Sequence, residues 1–176
     1  MNILVISASP RKNGNSDVLC DRLILGAQEA GHQTEKIRLA EKKIAPCMAC
    51  DACVKTHRCV VRDDMADIAE KMIAADFIVL ATPVYFYSLC AQLKILIDRC
   101  YARYTEMQHK KFVFIITAAD PQRSVVNETL DSLRGFVRCL PEAEEAAVLY
   151  GTGTWDKGDV LRHPSYEEAY RLGKEL

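Results

Sequence analysis

The chain has 176 residues, 49% of them hydrophobic, and a formal net charge of −1. That length suits one α/β domain, residues 1–176, with a full core, and the near-neutral balance excludes nucleic acid as the main partner. No apolar run is long enough to span a bilayer, and the start, Met1-Asn2-Ile3-Leu4-Val5-Ile6, lacks a basic leader and cleavage site, so no membrane partner and a cytoplasmic location are expected.

Apolar runs alternate with helical patterns along the chain. Asn2–Ser7 reads as a buried strand, followed by a helix over Ser16–Ala30 with Leu19, Leu23, Ile24 and Ala27 on one face. Gln33–Leu39 reads as a second strand, more polar and so nearer an edge. A long cysteine-bearing connection runs from Ile44 to Arg62. A helix over Asp64–Ala75 leads to a short apolar strand, Phe77–Ala81, of the kind buried on both faces. Leu89–Tyr101 reads as a helix striped by Leu89, Leu93, Leu96, Ile97 and Cys100. Phe112–Thr117 is the fourth strand, Ser124–Leu140 a helix, and Ala146–Tyr150 the fifth strand. The last helix starts near Ser165, where Ser165-Tyr166-Glu167-Glu168 fits a capping box. Five strands with intervening helices predict a doubly wound parallel sheet, with ligands beyond the carboxyl ends of its strands.

Three segments carry chemistry. The first is the loop Ser9-Pro10-Arg11-Lys12-Asn13-Gly14-Asn15-Ser16. It combines hydroxyl and amide side chains, two cations, a glycine suited to positive φ or close backbone approach, and the N-terminus of a helix. Together these suit a dianionic phosphate. A plain capping turn, with Asn15 or Ser16 as N-cap, accounts for the same residues. Neither a Walker loop nor a GxGxxG fingerprint is present, which favours a terminal monophosphate over a pyrophosphate. The second segment is Ala81-Thr82-Pro83-Val84-Tyr85-Phe86-Tyr87-Ser88. Three successive aromatics cannot all face the core, so at least one sits at the mouth, against a planar ring or a partner subunit.

The third is Cys47-Met48-Ala49-Cys50-Asp51-Ala52-Cys53, followed by Cys59. The spacing C-x2-C-x2-C-x5-C can wrap one iron–sulfur cluster. Zinc fits less well, because its sites use separated cysteine pairs. Cys47, Cys50 and Cys53 also fall along one helix face and could be inert buried thiols, and a redox-active disulfide is a further reading. Cys20, Cys90, Cys100 and Cys139 read as small buried hydrophobes.

Ser9-Pro10-Arg11-x-x-Gly14-Asn15-Ser16 after an N-terminal strand resembles the phosphate loop of the NAD(P)H-dependent FMN reductase branch of the flavodoxin-like superfamily. Pro83-Val84-Tyr85, with the later Leu93-Lys94-Ile95-Leu96-Ile97-Asp98-Arg99, resembles that family's flavin-ring segment and the helix after it. The cysteine spacing and the following Asp63-Asp64-Met65 resemble the iron–sulfur flavoproteins of the same superfamily. The likeness runs from the first strand through Arg99 and more loosely to the end. It implies a flavodoxin-like sheet of five parallel strands in order 2-1-3-4-5, with helices on both faces. It also implies that Ser9, Arg11, Asn13, Asn15 and Ser16 hold the FMN phosphate. Pro83, Val84, Tyr85 and Phe86 would meet the flavin largely through backbone groups, Thr117 in the loop Thr117–Pro121 would border it, and Cys47, Cys50, Cys53 and Cys59 are the candidate ligands of a [4Fe-4S] cluster.

The activity so implied is an FMN-dependent oxidoreductase that passes electrons from NAD(P)H to a quinone or another small acceptor. The chemistry is borne by the flavin, so no catalytic side chain is expected. An iron–sulfur flavoprotein electron carrier without its own nicotinamide turnover is the alternative, and a flavin-free regulatory or scaffold protein is a second. The three aromatics of the second loop point to a homodimer or homotetramer. A phosphorylatable receiver is disfavoured because Ser7-Ala8-Ser9 replaces the acidic residues it needs. A low-molecular-weight phosphatase is disfavoured because the first loop has no Cys-x5-Arg.

Overall fold

A computed structural model describes residues 1–176. Strand β1 (Asn2–Ser7) is followed by helix α1 (Asn15–Glu29), β2 (Gln33–Arg38), the short α2 (Ala52–Thr56), α3 (Met65–Ala74), β3 (Phe77–Tyr85), the two-residue β4 (Ser88–Leu89), α4 (Ala91–Arg99), β5 (Lys111–Ala118), α5 (Asn127–Arg138), β6 (Glu144–Thr152) and α6 (Ser165–Glu175). The sheet order is β2-β1-β3-β5-β6, all parallel, with β4 paired antiparallel to β3 off that path. Without β4 this is the expected 2-1-3-4-5 order.

Alternation along each strand sends side chains to two cores. Ile3, Val5, Phe77 and Val79 meet Leu19, Leu23 and Ala169 beneath α1 and α6. Leu4, Ile6, Ile78 and Leu80 meet Ile68, Leu93, Leu96 and Leu133 beneath α3, α4 and α5. Helices α1 and α6 pack so closely that a Cβ on Gly26 would stand 2.1 Å from the Tyr170 carbonyl oxygen, and one on Gly173 at 2.1 Å from that of Leu23. No helix is long and apolar enough to cross a membrane.

Several local expectations are corrected. β3 does not stop at Ala81. β1 ends opposite Ala81, so Thr82 and Pro83 have only β5 beside them before β4 pairs with Val84 and Tyr85, and Pro83 is tolerated on that open side. Leu89 belongs to the hairpin strand β4, and α4 begins only at Ala91. A 3-10 turn over Arg123–Val126 precedes α5. The capping box at Ser165 does not form, because Ser165 lies inside α6 and its hydroxyl pairs with His163 Nδ1 at 2.8 Å. Cys20, Cys90 and Cys100 are buried as expected, but Cys139, just past the end of α5, is exposed.

Candidate functional site

β1 and β3 are neighbours in the sheet, and the chain leaves them toward opposite faces, so the loops at their carboxyl ends part and leave a crevice. A cavity of about 160 Å³ lies there, lined by Ser9, Arg11, Gly14, Asn15, Ser16, Pro83, Val84, Tyr85, Thr117 and the later loop residues Thr154, Trp155 and Lys157. Two sequence-predicted segments and the Thr117 loop therefore meet in one place. Asn13 is absent from this lining.

The loop from Ser9 to Asp17 is fixed by its own side chains. Asp17, almost fully buried, accepts hydrogen bonds from the Ser7 hydroxyl at 2.7 Å and the Asn13 amide at 3.0 Å. It is also paired with Lys36 at 2.8 Å and Arg38 at 3.3 Å. Burial alone would raise the Asp17 carboxyl. Hydrogen bonds from Lys36 and Ser7 outweigh it and hold the group below its ordinary value. The left-handed position falls on Asn13, φ 54°, and not on Gly14, which is extended at φ −69°, ψ 169° and is the N-cap. Gly14 is needed for space instead, since a Cβ there would lie 3.0 Å from Ser9 Oγ and 3.1 Å from the Arg11 carbonyl.

Neither Asn15 nor Ser16 is the N-cap. Both lie in the first turn of α1, whose leading amides have no intrahelical acceptor. The Ser16 hydroxyl is buried and has no hydrogen-bond partner. An orphaned hydroxyl at the positive end of a helix, beside Arg11, is complementary to a phosphate. Asn15 is otherwise occupied: its Nδ2 donates to the Asp156 carbonyl at 2.9 Å, and its Oδ1 accepts from the Gly158 and Val160 amides. Arg11 Nη1 donates to the Trp155 carbonyl at 3.3 Å.

Asn15 and Arg11 thereby pin the loop after β6 against the cavity. That brings in Thr154, Trp155 and Lys157, which sequence reasoning left unplaced. The available signal was their position after a parallel strand, on the same edge as the other loops.

The β3–β4 hairpin forms the opposite wall. Tyr85 pairs with Ser88, and the two residues between them, Phe86 and Tyr87, both have positive φ, 50° and 61°. Two positive φ angles are the signature of a type I′ turn, a place usually given to Asn-Gly. For bulky aromatics the conformation is strained. All three aromatics are exposed, and Phe86 entirely so. Val84 and Pro83 are half-buried behind them. The hairpin is braced by Thr129, which donates to the Tyr87 carbonyl at 3.3 Å, and by Thr82 Oγ1, which accepts from the Cys90 amide at 3.0 Å.

The cysteine segment is a separate unit. Only Cys53 lies in α2; Cys47 and Cys50 precede it and are exposed, and Cys53 and Cys59 are half-buried. The buried-helix reading of these thiols is therefore wrong. Ala49 and Asp51, with φ of 51° and 55°, turn the chain away from a helix. All eight cysteines are unpaired. The four clustered ones share one cavity of about 30 Å³ with Met48, Val60, Val61 and Tyr101. Burial and the nearby sulfurs of Cys59, Cys50 and Cys47 raise the Cys53 thiol. No three of the sulfurs stand at the separation of ligands to a single ion. Four cysteines lining one apolar cavity nevertheless supply the donor type that an iron–sulfur cluster requires.

Sheet order, switch-point crevice and phosphate-suited helix terminus define a flavodoxin-like α/β protein. The chain belongs to the NADPH-dependent FMN reductase family, whose pattern matches residues 1–148. It is 42% identical over 99 residues to the iron–sulfur flavoprotein MJ1083 of Methanocaldococcus jannaschii, which covers 56% of this chain and 51% of that protein. It is 44% identical over 99 residues to an iron–sulfur flavoprotein of Methanosarcina thermophila, covering 56% and 52%. The chain spans about half the length of these curated relatives. Among solved structures, the NAD(P)H:quinone oxidoreductase of Methanothermobacter marburgensis superposes with a TM-score of 0.79 at 18% identity, covering 100% of this chain and 96% of that one. That likeness bears on the fold.

Proposed function

We propose that this chain binds FMN in the switch-point cavity and acts as an oxidoreductase that passes electrons from NAD(P)H to a quinone or another small acceptor. The observation that carries the reading is the buried, unpartnered Ser16 hydroxyl in the first turn of α1. Ser16, the first-turn amides, Ser9 and Arg11 would hold the phosphate. Asn13 and Asn15 serve this indirectly: the Asn13 amide is tied to Asp17, and Asn15 anchors the loop that carries Lys157. Pro83, Val84, Tyr85, Phe86 and Thr117 would border the ring. When bound, FMN supplies the hydride and electron chemistry, while the protein supplies orientation and exclusion of water.

A cavity of about 160 Å³ is below the roughly 300–1,000 Å³ typical of a complete small-molecule site. One chain therefore cradles the phosphate end and leaves the ring open beside Tyr85 and Phe86. A second copy covering the strained hairpin would close it, and a homodimer or homotetramer is the assembly we propose. Light scattering should give a mass above the 19.8 kDa of one chain; a monomer at micromolar concentration would refute the assembly.

The second reading adds a [4Fe-4S] cluster on Cys47, Cys50, Cys53 and Cys59, making the chain an iron–sulfur flavoprotein. It is favoured by the shared cavity of the four sulfurs and by the names of the relatives. Such a cluster supplies single-electron transfer. Steady NAD(P)H oxidation with FMN and a quinone separates the readings. Turnover supports the oxidoreductase, whereas FMN binding without turnover leaves the electron carrier.

A further inference from the structure

The two ends of the cysteine loop are joined by Lys43 and Asp64, whose amides bond to the Asp64 carboxylate at 2.7 Å and the Lys43 carbonyl at 3.1 Å, and by one buried side chain. Arg99, the last residue of α4, is buried to within 1% of its side-chain surface. Its Nη1 donates to the Ala45 carbonyl at 2.7 Å, two residues before Cys47. The same Nη1 and Nη2 form a forked pair with Asp63, at 2.7 and 3.0 Å, four residues after Cys59. Asp63 completes the closure by accepting from the Ala45 amide at 2.9 Å and the Met65 amide at 3.1 Å. Between these ends, Ala49, Asp51 and His57 all have positive φ, and the short α2 and Thr56 supply the internal hydrogen bonds.

One polar atom of this arrangement has no acceptor, the buried Nε of Arg99. Cys59 lines the same cavity as Arg99. A guanidinium can serve two partners at once because its five donors lie in a fixed plane. A lysine would keep the charge and lose the fork.

We infer that Arg99 is a positioning residue for the four cysteines: its fork on Asp63 and its bond to Ala45 help set the loop in the metal-free chain, and its Nε–H is reserved for the Cys59 sulfur. The inference rests on the reading of these cysteines as one cluster site, and its test separates the two. Hydrogen exchange is followed in the iron-free chain, and the spectrum and midpoint potential of the reduced cluster in the anaerobically reconstituted chain, for wild type and Arg99→Lys. Losing forked bonds to a charged partner should speed exchange at the Ala45 and Met65 amides by about ten- to a hundredfold. With the cluster in place, loss of a donor to a ligating sulfur should move its potential negative and alter its electron paramagnetic resonance spectrum, which a merely structural role would not do. Asp63→Asn, which retains one acceptor, should fall between the two and replaces Arg99→Lys if that variant does not fold. Exchange rates equal to wild type overturn the clamp whatever the metal content. Altered exchange with an unchanged potential and spectrum overturns the sulfur contact. A wild-type chain that takes up no iron removes the cluster reading and with it the sulfur contact, leaving the exchange result to decide the clamp.

Discussion

Between Ser9 and Asp17 the buried polar groups have partners within the protein, with the Ser16 hydroxyl the exception; between Cys47 and Cys59 four cysteines line one small apolar cavity, all unpaired. The first loop is anchored by a buried carboxylate that touches Ser7, Asn13, Lys36 and Arg38. The second is tied at its ends through Arg99 and Asp63 and through Lys43 and Asp64, and inside it by Thr56. The difference teaches how each could be used. The phosphate loop is preorganised, so binding there meets little ordering penalty. The cysteine loop is held mainly at its base, and its sulfurs line an apolar cavity without hydrogen-bond partners.

The largest expected effect breaks the second loop and spares the first. Cys47→Ser, Cys50→Ser, Cys53→Ser and Cys59→Ser should each abolish or convert a reconstituted cluster, read as iron and acid-labile sulfide, while FMN affinity holds. Cys20→Ser, Cys100→Ser and Cys139→Ser should leave both unchanged. Burial pushes the Cys100 thiol up to about 12 and that of Cys20 higher still, so neither can act as a thiolate near neutrality.

The next breaks the first loop. Asp17→Ala removes the partner of two cations and the acceptor of Ser7 and the Asn13 amide. Lys36 and Arg38 retain Asp21 and Glu41, so the loss should be near the lower end for a broken buried pair, about 3 kcal/mol. In a chain of this size that lowers Tm by about 6–12 °C, checked by calorimetry. A loss within about 0.5 kcal/mol, as for an ordinary surface change, would show that the loop is not held as described.

Arg11→Ala and Ser16→Ala sharpen the assignment of the phosphate end. Each should weaken FMN by about ten- to a hundredfold, the worth of one charge-assisted hydrogen bond of roughly 1.5–3 kcal/mol. Riboflavin, which lacks the phosphate, should be nearly unaffected in the same fluorescence titration. Equal losses for both ligands would remove the assignment.

Acid separates the loops less sharply. Burial raises both Asp17 and Asp63, but hydrogen bonds from Lys36 and Ser7 in one case, and from Arg99 in the other, hold both carboxyls below their ordinary range. Carboxyls depressed in the folded state stabilise it above the unfolded value of about 3.9 and lose that contribution as pH falls through the folded value. Stability measured by urea unfolding should change little between about pH 7 and 5 on their account and fall below about pH 4. Asp63→Asn should flatten part of that fall.

The smallest effect tests the hairpin. Phe86→Asn should relieve a left-handed aromatic and raise stability by about 1 kcal/mol, while weakening the proposed self-association seen by light scattering.

Where periodicity governs, the sequence was legible: the strands, the doubly wound parallel sheet and the shared edge of the ligand loops follow from alternating apolar runs, while the strand order came from the family resemblance. Boundaries failed where tertiary context overrode a local signal. Pro83 reads as a stop, but its strand has an open edge there. Leu89 fits a helical stripe yet packs from a hairpin strand. Gly14 reads as the left-handed residue, yet Asn13 takes that role because its amide reaches Asp17. The contact of Asn15 with residues 156–160 was invisible, being a side-chain pairing across more than 140 positions. The cysteine spacing placed four thiols together but carried no sign of Arg99.

The central claim is that FMN binds in the switch-point crevice, at a site built independently of the cysteine loop. FMN, iron and acid-labile sulfide counted per chain on anaerobically reconstituted protein, in wild type and in Ser16→Ala, test it most directly. The account predicts about one FMN per wild-type chain and, in Ser16→Ala, a loss of FMN with any cysteine-bound iron retained; about four irons per chain would add the second reading. Protein that takes up no FMN, or a Ser16→Ala chain that loses iron and FMN together, would contradict it.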